Sequence, residues 1–339
     1  MATERFVKRF IGAILATVTL ALTVGFVSPV DAFEYEDVAV FNTGQTRYGT
    51  VATAVTVDAD GYAYVTTTFA GGGDLGIGDA SDPVDELAKD QRPSMESFAV
   101  HKVSPSGEQE WVWKLLRGRP DGSGDLVDGK DSFGSSTDIE VDDDGNTYVT
   151  AYWHKYGTTH DGVGVFSENK SDGLIIAIGP DGNTKWANEF HSNGHAYLNS
   201  VDVDNQGSIV VGGRWYGNGR MLQNTEWSDP SHVRVHSGPG HKPFIAKIDA
   251  ETGITEWSYW WDICRNEHSN LHDAKFLSDG SVVAVGAYND RDDVAGRVTY
   301  NSRTRTDCDD SSIMGAAATS GYQYAHGSSN TGGARSNMV

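Results

Sequence analysis

The chain has 339 residues, with 47 Asp and Glu against 26 Lys and Arg and a net charge of −21. That balance repels phosphate backbones and argues against nucleic acid as a partner, while it favours solubility and suits hard cations. The length is ample for one large domain behind a targeting segment.

The segment at 1–32 reads as a signal peptide. Arg5, Lys8 and Arg9 form a basic head, residues 10–27 are apolar, and Val30 and Ala32 supply a small-residue cleavage site. The alternative is an uncleaved signal anchor, since a spanning helix needs roughly 20 residues. Membrane association is expected only in that case, because no later stretch is apolar enough to span. Either way the chain is expected outside the cell or in a secretory lumen. Residues 36–44 read as a strand able to close a ring of repeats.

From Thr50 onward two kinds of hairpin alternate. The first reads TVDADGYAYVTTTF, EVDDDGNTYVTAYW, DVDNQGSIVVGGRW and KFLSDGSVVAVGAY, with turn glycines Gly61, Gly145, Gly207 and Gly280. A polar turn ending in Gly between alternating apolar runs is a hairpin signal, because such turns need positive φ. The second kind reads FAVHKVSPSGEQEW, LIIAIGPDGNTKW and FIAKIDAETGITEW. Its glycines, Gly107, Gly182 and Gly253, are each followed four residues later by Trp111, Trp186 or Trp257. IMGAAATSGYQYA reads as a faded copy, with Gly321 as anchor and Tyr324 near the Trp position. A short helical turn is expected at Pro83–Lys89.

One hairpin of each kind makes a four-stranded unit. Units are expected at 50–116, 134–190, 196–261 and 270–327, with the small, polar tail at 328–339 disordered. Such sheets bury their faces by stacking around an axis, so the expected fold is an all-β propeller of about four blades. It is either a closed small propeller or half of a seven- or eight-bladed one.

These residues carry a resemblance. GNTYVTA from Gly145 resembles the G-N-x-Y-V-T-G strand of bacterial seven-bladed (SBBP-type) propeller repeats. The Gly-to-Trp spacing is similar to that of the PQQ-like propeller superfamily. In IDAETGITEW, Asp249, Thr252, Gly253 and Trp257 match that superfamily's docking repeat, while Lys247 stands where Ala is expected. The resemblance spans Thr50 to about Ser320 and implies a fold rather than a reaction. Quinone dehydrogenases of the superfamily carry a vicinal Cys-Cys pair, which this chain lacks. The repeated Trp111, Trp186 and Trp257 are expected to wedge neighbouring blades together.

Hairpin turns fall on one face of such a fold and the longer links on the other. The links differ from one another, so they form the candidate binding rim, with His154, His160, Trp227, His232 and His236 as candidate contacts. HSNGH (His191, His195) and HSNLH (His268, His272) recur at similar places in successive units, and imidazole suits zinc or copper. The alternative is that the repeat is inherited from duplication. Calcium is the other candidate ion, at the glycine-rich run 71–79. The turns at Asp142 and Asp202 fit an EF-hand poorly, because Ala151 and Gly213 stand where the last oxygen ligand belongs. No cofactor is otherwise expected.

Cys264 and Cys308 are the two cysteines, read as one disulfide in an oxidising compartment or as two free thiols. Asn169 heads a glycosylation sequon. No nucleophile–base motif stands out. The chain is therefore expected to be a secreted, non-catalytic propeller that binds a protein or polysaccharide at its rim. The alternatives are a PQQ-like or glycosidase-type enzyme and a structural wall or matrix protein.

Overall fold

The computed structural model describes residues 50–70, 73–76, 83–84, 96–120, 126–127, 131–192, 194–216, 219–221, 233–236, 241–261, 270–288, 314–316, 327–328 and 336–338. The expected targeting segment and the 36–44 strand lie outside the described residues.

Four antiparallel meanders follow one another. In the first unit β1 (Thr50–Val57), β2 (Ala63–Phe69), β3 (Ser97–Val103) and β4 (Gln109–Arg117) pair in chain order. The second contains β5 (Phe133–Val141), β6 (Thr147–Thr159), β7 (Gly164–Ile178) and β8 (Thr184–Ser192). The third contains β9 (Ala196–Val203), β10 (Ser208–Tyr216), β11 (His241–Asp249) and β12 (Thr255–Trp261). The fourth begins with β13 (Asn270–Phe276) and β14 (Val282–Tyr288). The fold is an all-β propeller.

The turns explain why the hairpins form. Asp58, Asp142 and Asp204 each accept, through Oδ1, the amides two and four residues on. This local bonding replaces ladder bonds at the reversal. Gly61, Gly145 and Gly207 then take φ of 85°, 79° and 94°, a region open to glycine. Asp142 spends its second oxygen on Asn146 Nδ2 and the Tyr148 hydroxyl, so it serves the turn.

The links between hairpins do not stay on the rim. β6 bulges between His154 and Tyr156, and its far end folds back along the outer strand of the first unit, pairing Gly157 with Arg117 and Thr159 with Leu115. Gly219–Met221 pairs in the same way with Phe190 to Ser192 of β8, and Met314–Ala316 with the end of β12. Each link thus adds a strand to the preceding blade's outer edge, satisfying backbone groups that would otherwise face water.

The last unit departs from the sequence reading. Met314–Ala316, expected within its second hairpin, pairs instead with β12. Ser336–Met338, expected in a disordered tail, pairs with β14 and with Gly327–Ser328. Both segments are short and weakly patterned, so an open strand edge, not their own sequence, selects their partner. Pro83–Val84 is likewise a strand segment paired with Gly73–Asp74 and not the start of a helical turn.

The core lies between blades. Tyr64, Phe98, Trp113, Ile139, Val149, Trp153 and Ile176 fill the space between the first and second units. Tyr148, Ile175, Leu198, Val211, Trp215 and Phe244 fill the next. Val210, Ile245, Leu271 and Ala274 start the third.

The innermost strands carry a second repeat. Each has one bulged residue at the equivalent register position: Thr53, Thr137, Asn199 and His272. The bulge turns that side chain toward the next unit. Thr53 Oγ1 meets Ser136 Oγ at 2.7 Å, Thr137 Oγ1 donates to the Leu198 carbonyl at 2.8 Å, and Asn199 Nδ2 donates to the Leu271 carbonyl at 2.6 Å. Lys275 ties the same wall together, reaching Asp202 at 3.0 Å and Glu140 at 3.5 Å.

Candidate functional site

The candidate site is built where the second and third units meet at their link end. β6 arrives there with Tyr152 and His154, β7 leaves with Ser171 and Asp172, and β9 starts with Ala196 and Tyr197. The short link between β8 and β9 places His195 over Tyr197, the rings stacked with centroids 5.8 Å apart. Tyr152 meets Tyr197 edge-on at 5.5 Å, and the Arg214 guanidinium lies 5.0 Å from the Tyr197 ring centre. His154 packs on Phe133 at 4.9 Å.

The electrostatics are unusual for so acidic a chain. Burial lowers the His195 pKa, and the neighbouring Lys170, His154 and Arg214 lower it further, against Asp172. The Ser171 amide donates to His195 Nδ1 at 3.4 Å, which leaves the proton on Nε2. Arg214 Nε is buried with no hydrogen-bond partner, and no carboxylate pairs with Arg214 or Lys170 among the described residues. The patch therefore joins half-buried aromatic faces to unneutralised cations.

Beneath it lies a buried ion-pair group. His191, 8% exposed, places Nδ1 2.5 Å from Asp172 Oδ2 and Nε2 3.1 Å from Glu189 Oε2. The Ser192 amide donates to Asp172 and the Phe166 amide to Glu189. Burial alone would push His191 down, but its bonds to Asp172 and Glu189 outweigh that and hold it up at about 10. His191 is thus a cation at neutral pH, while burial pushes the Glu189 carboxyl beside it up.

The sequence-predicted residues separate into several places. His154 and His195 join the aromatic patch, and His191 lies below it. His160 leaves the rim: at the tip of the folded-back β6–β7 arm, its ring stands edge-on to Trp113 at 6.4 Å. At the same tip Asp161 accepts from the Thr184 amide and hydroxyl, pinning the arm to its own unit's second hairpin. His272 is the exposed bulge of β13, on an innermost strand, whereas His191 sits on an outermost one. The topology keeps them apart, and no group of three or more metal-ligating side chains forms among the described residues. Trp227, His232, His268, Cys264 and Cys308 lie outside the described residues. So does the Asn169 side chain, although its backbone belongs to β7, and so does that of His236, whose backbone belongs to the strand Val233–His236.

The repeated tryptophans contact the next blade's turn. Trp111 Nε1 donates to the Pro180 carbonyl at 3.0 Å and Trp186 Nε1 to the Ala250 carbonyl at 3.1 Å. Each indole lies against a glycine: a Cβ on Gly182 would come within 2.9 Å of Trp111, and one on Gly253 within 2.8 Å of Trp186. Trp257 packs beside Tyr259 at 5.0 Å; the turn it would meet is outside the described residues.

Sequence reasoning missed Tyr152, Tyr197, Arg214, Asp172 and Glu189. Tyr197 falls just inside the start of β9, a signal available in the repeat, whereas Tyr152 sits in the middle of β6. No protein-family model and no curated protein matches the chain. Among solved structures, the WD40 domain of Neurospora crassa Pan2 aligns over 73% of this chain and 92% of its own, at 10% identity and a TM-score of 0.20.

Proposed function

We propose that the protein is a secreted, non-catalytic propeller whose link-end face binds a glycan bearing acidic groups. The observation that carries this reading is the patch of Tyr152, Tyr197, His195 and Arg214. Aromatic faces stack on the C–H faces of sugar rings, and cations without carboxylate partners suit a uronate or sulfate. A protein ligand of the same chemistry would need a larger contact than this patch. Secretion is supported by the basic-then-apolar N-terminal segment.

The test is calorimetric titration of polygalacturonate, with neutral dextran as control. Binding to the acidic polymer should weaken as salt rises, because the attraction is partly screened. Tyr197→Ala and Arg214→Gln should each weaken it by about tenfold. Both residues are half-buried, so circular dichroism must show the variants folded before the affinities are compared. Equal affinity of wild type and both variants overturns the assignment of this patch.

A further inference from the structure

We propose that a second copy of this chain docks head-to-tail on the flank of the first blade that no other described strand covers, so that two arcs of four described blades close one eight-bladed ring.

The inference starts from the interface that already joins the blades. Each incoming blade offers three things to the one before it: a glycine turn for the Trp, an inner strand for the bulged side chain, and an apolar face. Gly182 and Gly253 are each capped by a Trp of the preceding unit. Gly107 occupies the same place in the first unit, with φ +85°, and nothing comes within 4 Å of a Cβ built there. Among the described residues, the first blade's receptor holds no indole.

The inner strand repeats the vacancy. Ala54 and Thr56 of β1 face the second unit, with Thr56 bonded to Glu140. Val55 and Val57 point the other way and are 64% and 58% exposed; the bulge at Thr53 puts Ala52, opposite Thr67, on that same face and Val51, opposite Thr68, on the other. Bare valines side by side on one strand face are an unusual outward surface for a chain this acidic. Ala52, whose carbonyl corresponds to those of Leu198 and Leu271, is exposed as well.

The other end of the arc offers the complement. His272 is the last bulged side chain; it is exposed, and its only described contact is with Asn270 of its own strand. Val285 of β14 is 42% exposed, opposite the face that packs on the third unit. One flank thus presents a bulge donor, and the other presents a vacant receptor strand. Because the two ends differ, a copy fits head-to-tail, and such contacts either close a ring or grow without end. Eight blades lie within the range that propellers adopt. In the closed ring His272 of one copy reaches the Ala52 carbonyl of the other.

The test is light scattering coupled to size exclusion on the full secreted chain, with the double variant Val55→Asp, Val57→Asp and the single variant His272→Ala. Wild type should run at twice the chain mass. The double variant should weaken association by at least about a hundredfold, since two carboxylates would be buried unpaired at the contact. These side chains are exposed in one chain, so the variant should keep the circular dichroism of wild type. His272→Ala should weaken association by a smaller factor. A wild type that stays at single-chain mass well above micromolar concentration overturns the proposal. So does a dimer insensitive to the double variant, or a ladder of larger species.

Discussion

At the scale of single residues, charge is handled in two opposite ways within one corner of the fold. His191 is surrounded, with Asp172 and Glu189 each within 3.1 Å. Arg214 is left with a buried Nε and no acceptor. The first arrangement stabilises; the second is the cation that the proposed glycan contact uses. Because His191 is held above the ordinary histidine value of about 6.5, its pairing contributes fully below that pH. The contribution is lost as pH rises through about 10. His191→Gln leaves two buried carboxylates without their cation, and should cost roughly 3–5 kcal/mol at pH 7. Urea unfolding from pH 6.5 upward reads both effects: the gap between wild type and variant should be widest at the acid end and narrow toward pH 10 and above. A gap that stays constant would mean His191 is not the titrating partner.

At the scale of elements, the Trp-to-Gly contact is the part of the repeat that packs one blade on the next. Alanine at Gly182 or Gly107 meets the same backbone penalty, about 1–2 kcal/mol for a left-handed residue. Gly182 also lies against Trp111, whereas no described residue comes within 4 Å of a Cβ on Gly107. Gly182→Ala should therefore destabilise by roughly 1–3 kcal/mol more than Gly107→Ala, the cost of forcing a packed contact. Thermal melts of dilute protein make the comparison, and equal losses would remove Trp111 from the interface.

This contact also marks what the sequence made legible. The hairpin strands follow from Asp and Gly at the turns and from period-2 alternation, because both are local and repeated. The inner-strand bulges were invisible: Thr53, Thr137, Asn199 and His272 share a register position but not one residue type. The folded-back links were invisible for a related reason. Nothing in HKYGTTHDGVGV says that it pairs with Leu115 to Arg117, since that choice is made by the open edge of β4. His160 was read onto the rim because a loop was assumed to stay where it leaves the sheet. Arg214 and Tyr197 were missed because their meaning lies in a neighbour from another strand.

At the scale of the whole molecule, the propeller is a line of blades in which each contacts its neighbours. Stability in such an array is close to a sum of blade terms and interface terms, so position along the array matters. β7 and β10 lie inside blades covered on both faces, with Ile175, Ile176, Val210 and Val211 fully buried. Among the described residues β1 pairs with β2 alone, and its outward side chains are bare. Amide exchange should grade accordingly: β1 opens at low cost, while β7 and β10 exchange only with opening of the larger unit. The gradient should also depend on concentration. If a second copy caps the first blade, β1 protection rises as protein is added while that of β7 stays fixed, because association stabilises only the strands it covers. Exchange read by mass spectrometry at two concentrations separates the cases. Uniform protection across β1, β7 and β10 at both would mean that the blades open as one unit and that the first has no exposed flank.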